Sequence, residues 1–144
     1  MLKFRLEKVL RHRTSMEILA QQELAAAQQE ELERRQELAA VGAQLAECQA
    51  DFERCKSDGL TSQELLIYQR HLERQGERQL ACKERWAAAA LEVEAKREAL
   101  VAASQDKRLL EKLKEKKSEE FHRELLSREN NVLDEIAIQQ FYKR

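Results

Sequence analysis

No proline occurs anywhere in the 144 residues, and only three glycines do. Proline breaks a helix by removing a hydrogen-bond donor and clashing with the preceding turn, so a chain without it has nothing to interrupt long helices. The residues that remain are mostly Ala, Leu, Glu, Gln, Lys and Arg, with 37% charged and only 5% aromatic. That mixture is typical of long helices and coiled coils, and a core built from it can only be a seam between helices.

One stretch reads as a connection, "KSDGLTSQELL" at 56–66. Gly59 can take the left-handed conformation that ends a helix. Thr61 and Glu64 match the T-x-x-E capping box that begins the next one, and Leu60 and Leu65 fall at the positions of a hydrophobic staple. These signals predict helix 1 over about 2–57, a tight turn at about 58–61 and helix 2 over about 62–142, one hairpin across 1–144.

A heptad pattern sets the helix faces. In helix 1 the core positions run through Leu6, Leu10, Arg13, Glu17, Ala20, Leu24, Ala27, Glu31, Arg34, Leu38, Val41, Leu45, Cys48, Phe52, Cys55 and Gly59, of which eleven of sixteen are apolar. A stripe that narrow suits one partner helix. In helix 2 the stripe runs through Leu65, Tyr68, Leu72, Cys82, Trp86, Ala89, Val93, Leu100, Ala103, Leu110 and Phe121, interrupted by Gln75, Gln79, Lys96, Lys107, Lys114 and Lys117. Helices joined by so short a connection are antiparallel neighbours. The expected fold is all-α, two long helices forming an antiparallel coiled-coil hairpin, the second longer with a C-terminal overhang.

Reversal at about residue 59.5 pairs residues whose numbers total about 119, because both helices rise by ~1.5 Å per residue. Three expectations follow. Gly42 and Gly76 come to one height, where glycine would serve either close backbone approach or a local bend, at a cost of ~1 kcal/mol each relative to Ala. A basic N-terminal stretch (Lys3, Arg5, Lys8, Arg11 and Arg13 against Glu7) lies beside Lys107, Arg108, Lys112, Lys114, Lys116 and Lys117, against Glu111 and Glu115. Each strand then carries a net charge of about +4, a positive collar that suits an acidic partner. Finally, helix 1 reaches only to about residue 117, so roughly 25 residues of helix 2 project beyond it, some 35–40 Å. That overhang is amphipathic, with Leu125, Leu126, Val132, Leu133, Ile136 and Ala137 on one stripe and Phe141 at its end. Leaving five large apolar side chains exposed forgoes about 1.5–3 kcal/mol each, so the tail is expected either to self-associate or to insert into another protein.

Other chemistries find no support in the residues. His12, His71 and His122 are scattered, no metal-spaced cluster or glycine-rich phosphate loop occurs, and the carboxylates lie among lysines on exposed faces. Cys48, Cys55 and Cys82 are odd in number and lack C-x-x-C spacing, as expected of reduced thiols at seam positions. The collar has no aromatic residues interleaved with its cations for stacking on nucleic-acid bases. The N-terminus lacks the apolar run of a signal peptide, and no stretch approaches the ~20 apolar residues of a membrane span. A soluble, cytosolic, non-enzymatic protein is expected, with no catalytic residues, metal or cofactor, no nucleic-acid partner and no direct membrane insertion.

Three segments, "FRLEKVLRHR" at 4–13, "LIYQRHLERQ" at 66–75 and "KRLLEKLKEKKSEEFHRELLSRENNVLDEIAI" at 107–138, together resemble the FliJ family of flagellar type III export stalk proteins. The block L-E-K-L-K-E-K-K followed at the right distance by L-D-E-I-A is the most specific part. One departure is Asn130–Asn131, where the family tends to carry Gln and a basic residue. The resemblance implies a stalk similar to the central stalk of rotary ATPases, whose open end, with both termini, enters the ring of the hexameric export ATPase. It also implies contacts with the ATPase regulator, export chaperones and the cytoplasmic part of the export-gate membrane protein, in the cytoplasm at the inner membrane of the flagellar base. Carried onto this chain, the ring contacts would be Phe4, Leu6, Leu10, Arg13, Leu133, Asp134, Glu135, Ile136 and Phe141, and the gate contacts Tyr68, His71 and Leu72. The alternatives are the equivalent stalk of a virulence secretion system, or a purely structural coiled coil that oligomerises through its tail.

Overall fold

A computed structural model describes residues 5–143 of the chain. It contains two helices, α1 (Glu7–Asp58) and α2 (Ser62–Tyr142), with Gly59, Leu60 and Thr61 between them. The fold is an all-α helical hairpin, and no strand occurs among the described residues. Of the expected start of helix 1 at about 2, residues 2–4, with Lys3 and Phe4, lie outside the described residues, while Arg5 and Leu6 form a turn before α1.

Local hydrogen bonds fix where the chain reverses. Gly59 sits at φ 94°, a conformation open to glycine without strain. Its N–H donates to the Lys56 carbonyl at 3.3 Å, satisfying an acceptor that the end of α1 would otherwise leave free. Beyond it the Glu64 N–H donates to Thr61 Oγ1 at 3.2 Å, while Glu64 Oε2 accepts from the Thr61 N–H at 3.4 Å. This reciprocal capping box satisfies two of the donors that open α2.

Contacts group the chain into two compact units, Ala20–Leu100 and the pair Met1–Leu19 with Val101–Arg144. In the unit Ala20–Leu100 the buried residues are Ala20, Ala27, Val41 and Phe52 of α1 with Cys82 and Ala89 of α2, all at heptad core positions. Phe52 and Tyr68 pack with ring centroids 5.4 Å apart. Polar contacts fix the register: Trp86 Nε1 donates to Glu31 Oε1 at 2.9 Å, and Lys96 Nζ reaches Glu23 at 3.4 Å. Near the turn, Cys48 Sγ lies 3.4 Å from His71 Nε2, and Cys55 Sγ lies 3.3 Å from the Tyr68 hydroxyl.

In the other unit Leu10 is buried and the seam is largely ionic. Lys107 Nζ meets Glu17 at 3.2 Å, Arg13 meets Asp106 at 3.3 Å, and Lys114 meets Glu7 at 3.1 Å. Glu17 and Lys107 are the most enclosed of these, with side chains only 16% and 25% exposed. The Ser104 hydroxyl and then the Lys107 ammonium hold the Glu17 carboxyl below its ordinary value of 4.5. Glu17 in turn raises the Lys107 ammonium above 10.5. The polar residues of the α1 core pattern are thus accounted for. Arg13, Glu17 and Glu31 find partners on α2, and Arg34 pairs with Glu30 and Glu37 of its own helix.

The glycines correct one expectation. A methyl group at Gly42 would meet only the Gln79 side-chain amide, at an ordinary 3.6 Å, and one at Gly76 would meet nothing within 4 Å. Neither position is needed for close backbone approach, and both helices run on through them. Equal height does not make two residues face each other, and the seam at this level belongs to Val41 and Gln75.

Two predictions follow. Gly42→Ala and Gly76→Ala should each add about 0.5–1 kcal/mol of stability by removing the glycine penalty, measured by urea denaturation; a loss at either site would show that the glycine answers a constraint of packing. A carboxyl held low in the folded state contributes stability that is present above the unfolded value and lost as pH falls through the folded one. Thermal melts from pH 7 to 3 should therefore show a smaller acid-induced loss for Glu17→Gln than for the unaltered chain, from a lower starting point at pH 7. Parallel curves would contradict the role given to this carboxylate.

Candidate functional site

From His122 to Lys143, through the end of α2, every residue is exposed. The segment includes Leu125, Leu126, Val132, Leu133, Ile136, Ile138, Phe141 and Tyr142, with Phe141 78% and Tyr142 81% exposed. The cross-helix ion pair furthest along α2, among the described residues, joins Lys114 to Glu7. Of the residues proposed from sequence to meet a partner, Leu133, Asp134, Glu135, Ile136 and Phe141 all lie in this exposed segment. Leu6 is also exposed, whereas Leu10 is buried in the seam and Arg13 is engaged with Asp106. Phe4 lies outside the described residues.

Immediately before this segment stands the basic collar. Lys107 and Lys114 face inward to Glu17 and Glu7 and so hold the two helices together. Among the described residues, Arg5, Lys8, Arg11, Arg108, Lys112, Lys116 and Lys117 make no ion pair, and all are exposed. Net charge along each strand, which takes in Glu7 but neither Glu17 nor Asp106, does not resolve this division, because these carboxylates stand where they pair with the inward-facing cations. What remains for a partner is a belt of outward-facing lysines and arginines beside an apolar helix.

The residues proposed as gate contacts lie near the turn and mostly against α1. Tyr68 is half-buried on Phe52, and its hydroxyl hydrogen bond with Cys55 raises its pKa above 10.0. Leu72 is half-buried, while His71 is exposed beside Cys48. The Glu31–Trp86 hydrogen bond went unforeseen, although the pairing register places Glu31 within a turn of Trp86. All three cysteines are free thiols at seam positions. Among the described residues, no cluster of three His, Cys, Asp or Glu side chains could hold a metal ion, and no helix is long and apolar enough to cross a membrane.

A sequence model of the family described as "Flagellar FliJ protein" matches residues 2–144. No curated protein and no solved structure matches the chain. With essentially its whole length matched, the chain belongs to the FliJ family, components of the flagellar export apparatus.

Proposed function

We propose that this chain is the stalk that binds the hexameric export ATPase, promotes its assembly and activity, and links it to the membrane export gate. The observation that carries this reading is the exposed apolar segment 122–143 beside the outward-facing cations. Five or more large apolar side chains in water forgo on the order of 10 kcal/mol of burial, an imbalance that a partner surface would remove. The ATPase surface that receives them would be apolar where it meets Leu133, Ile136 and Phe141, and acidic where it meets Lys8, Arg11, Lys112 and Lys116. Such charge complementarity mainly raises the association rate, while the buried apolar contacts slow dissociation.

In this reading the protein works in the cytoplasm, peripherally associated with the inner membrane at the flagellar base. It also contacts the ATPase regulator and the export chaperones. Contact with the cytoplasmic part of the gate protein would involve the exposed His71, with Tyr68 and Leu72 supporting the local surface from their packed positions on α1.

The purified chain should stimulate hydrolysis by the cognate export ATPase and co-sediment with its hexamer, and truncation after Ser127 should abolish both while leaving the helical hairpin folded by circular dichroism. Full retention of ATPase binding by the truncated chain would overturn the reading. Light scattering on the chain alone separates it from a structural coiled coil: a monomer at micromolar concentration is expected, and a stable oligomer would favour the structural rod.

A further inference from the structure

One layer of the hairpin holds its two helices together more weakly than the layers on either side. In the unit Ala20–Leu100, polar contacts cross the seam from Cys55 to Tyr68 and from Cys48 to His71 near the turn, and from Glu31 to Trp86 and Glu23 to Lys96 further from it. Between Glu31 and Cys48, about 25 Å of α1, no hydrogen bond or ion pair reaches α2 among the described residues. The seam there rests on half-buried Leu38, Leu45 and Leu72 and on two small buried side chains, Val41 and Cys82. Between Leu72 and Cys82 the core positions of α2 are both glutamine, Gln75 and Gln79.

Two further observations fall on the same layer. The Gln75 side-chain oxygen is buried without a hydrogen-bond partner from the protein. A buried acceptor left unpaired is costly, and parting the helices would let water bond to it, so opening costs less here than at an apolar layer. Gly42 and Gly76 flank this amide at one height, and neither is required by the packing, since a methyl group fits at both. Glycine is the poorest helix former after proline. Its cost is not repaid in the closed hairpin, whereas its backbone freedom serves a helix that bends.

We infer that this layer is a joint, the place where the two helices part and bend first, so that the turn end of the hairpin moves as one body against the rest of its unit. Each side of the joint has its own ties. The turn end is held by Phe52 on Tyr68, by the contacts of Cys48 and Cys55 and by the capping box. The other side is held by Glu31 with Trp86 and Glu23 with Lys96. Tyr68, His71 and Leu72 all stand on the turn side, so motion at the joint reorients them together and leaves their packing on α1 intact. The inference concerns the chain alone and does not depend on the identity of any partner.

Amide hydrogen exchange on the full chain tests this, because local opening lowers protection where it occurs. After correction for intrinsic rates, protection at 41–46 and 75–80 is expected to be at least tenfold lower than at Ala27–Glu31 and Trp86–Ala89 on one side and at Phe52–Cys55 and Tyr68–Leu72 on the other. The second sample is the full chain carrying Gly42→Ala, Gly76→Ala and Gln75→Leu together, which removes both glycines and the buried amide. In it the contrast is expected to shrink to less than threefold. The readout is a contrast within one molecule, so a general gain in stability, which raises protection in every segment alike, does not produce this result. Even protection along the unaltered chain would overturn the inference, and so would a tenfold contrast that survives all three substitutions.

Discussion

The turn at Gly59 and Thr61 is the constraint on which the other contacts depend. One residue's backbone at φ 94° and two hydrogen bonds of a capping box decide where α1 stops and α2 begins. Once that point is fixed, the constant rise of an α-helix assigns each residue of α1 its opposite number on α2. Glu23 with Lys96 and Cys48 with His71 each total 119 within one unit, as Arg13 with Asp106 does within the other. A shift of the turn by one residue would rotate one helix by about 100° against its partner and separate these pairs.

Polar residues inside the seam turn that local constraint into specificity. A seam of Leu and Ala alone would tolerate sliding by a heptad, because each register buries a similar apolar surface. A glutamate at a core position does not, since it loses its partner and leaves a partly desolvated charge. Glu31 under the Trp86 indole and Glu17 against Lys107 and Ser104 each penalise a slipped register within their own unit. The cost is a weaker hydrophobic core, consistent with the few residues that are fully buried and with the small size of several of them. Lysines 107 and 114 are structural on this account, which leaves the outward cations of the collar for association.

Much of this was legible because it is periodic or local. The seam phase could be read from residue type at three- and four-residue spacing, and the capping box from Thr61 and Glu64 alone. Side chains whose role depends on what stands opposite were harder to read. Glycines 42 and 76 looked like a crossing point until the spatial surroundings of each were known. Glu31 and Glu17 looked like gaps, because a heptad template scores each helix by itself. The collar read as uniformly positive for the same reason, whereas Lys107 and Lys114 pair across to Glu17 and Glu7. Tyr68 and Leu72 illustrate the limit for the proposed site: an aromatic or leucine at a core position reads the same whether it packs on its own hairpin or waits for a partner. The tail was legible as apolar from its residues alone, and the structure adds that these side chains are exposed.

The central claim is that the hairpin completes its own packing and leaves 122–143 for another protein. Amide hydrogen exchange on the chain alone and bound to export ATPase hexamer tests this most directly. The account predicts fast exchange across 122–142 in the free chain, slower exchange there in the complex, and little change between Ala20 and Leu100. Strong protection of the tail in the monomeric free chain, or a complex that leaves the tail unprotected, would contradict it.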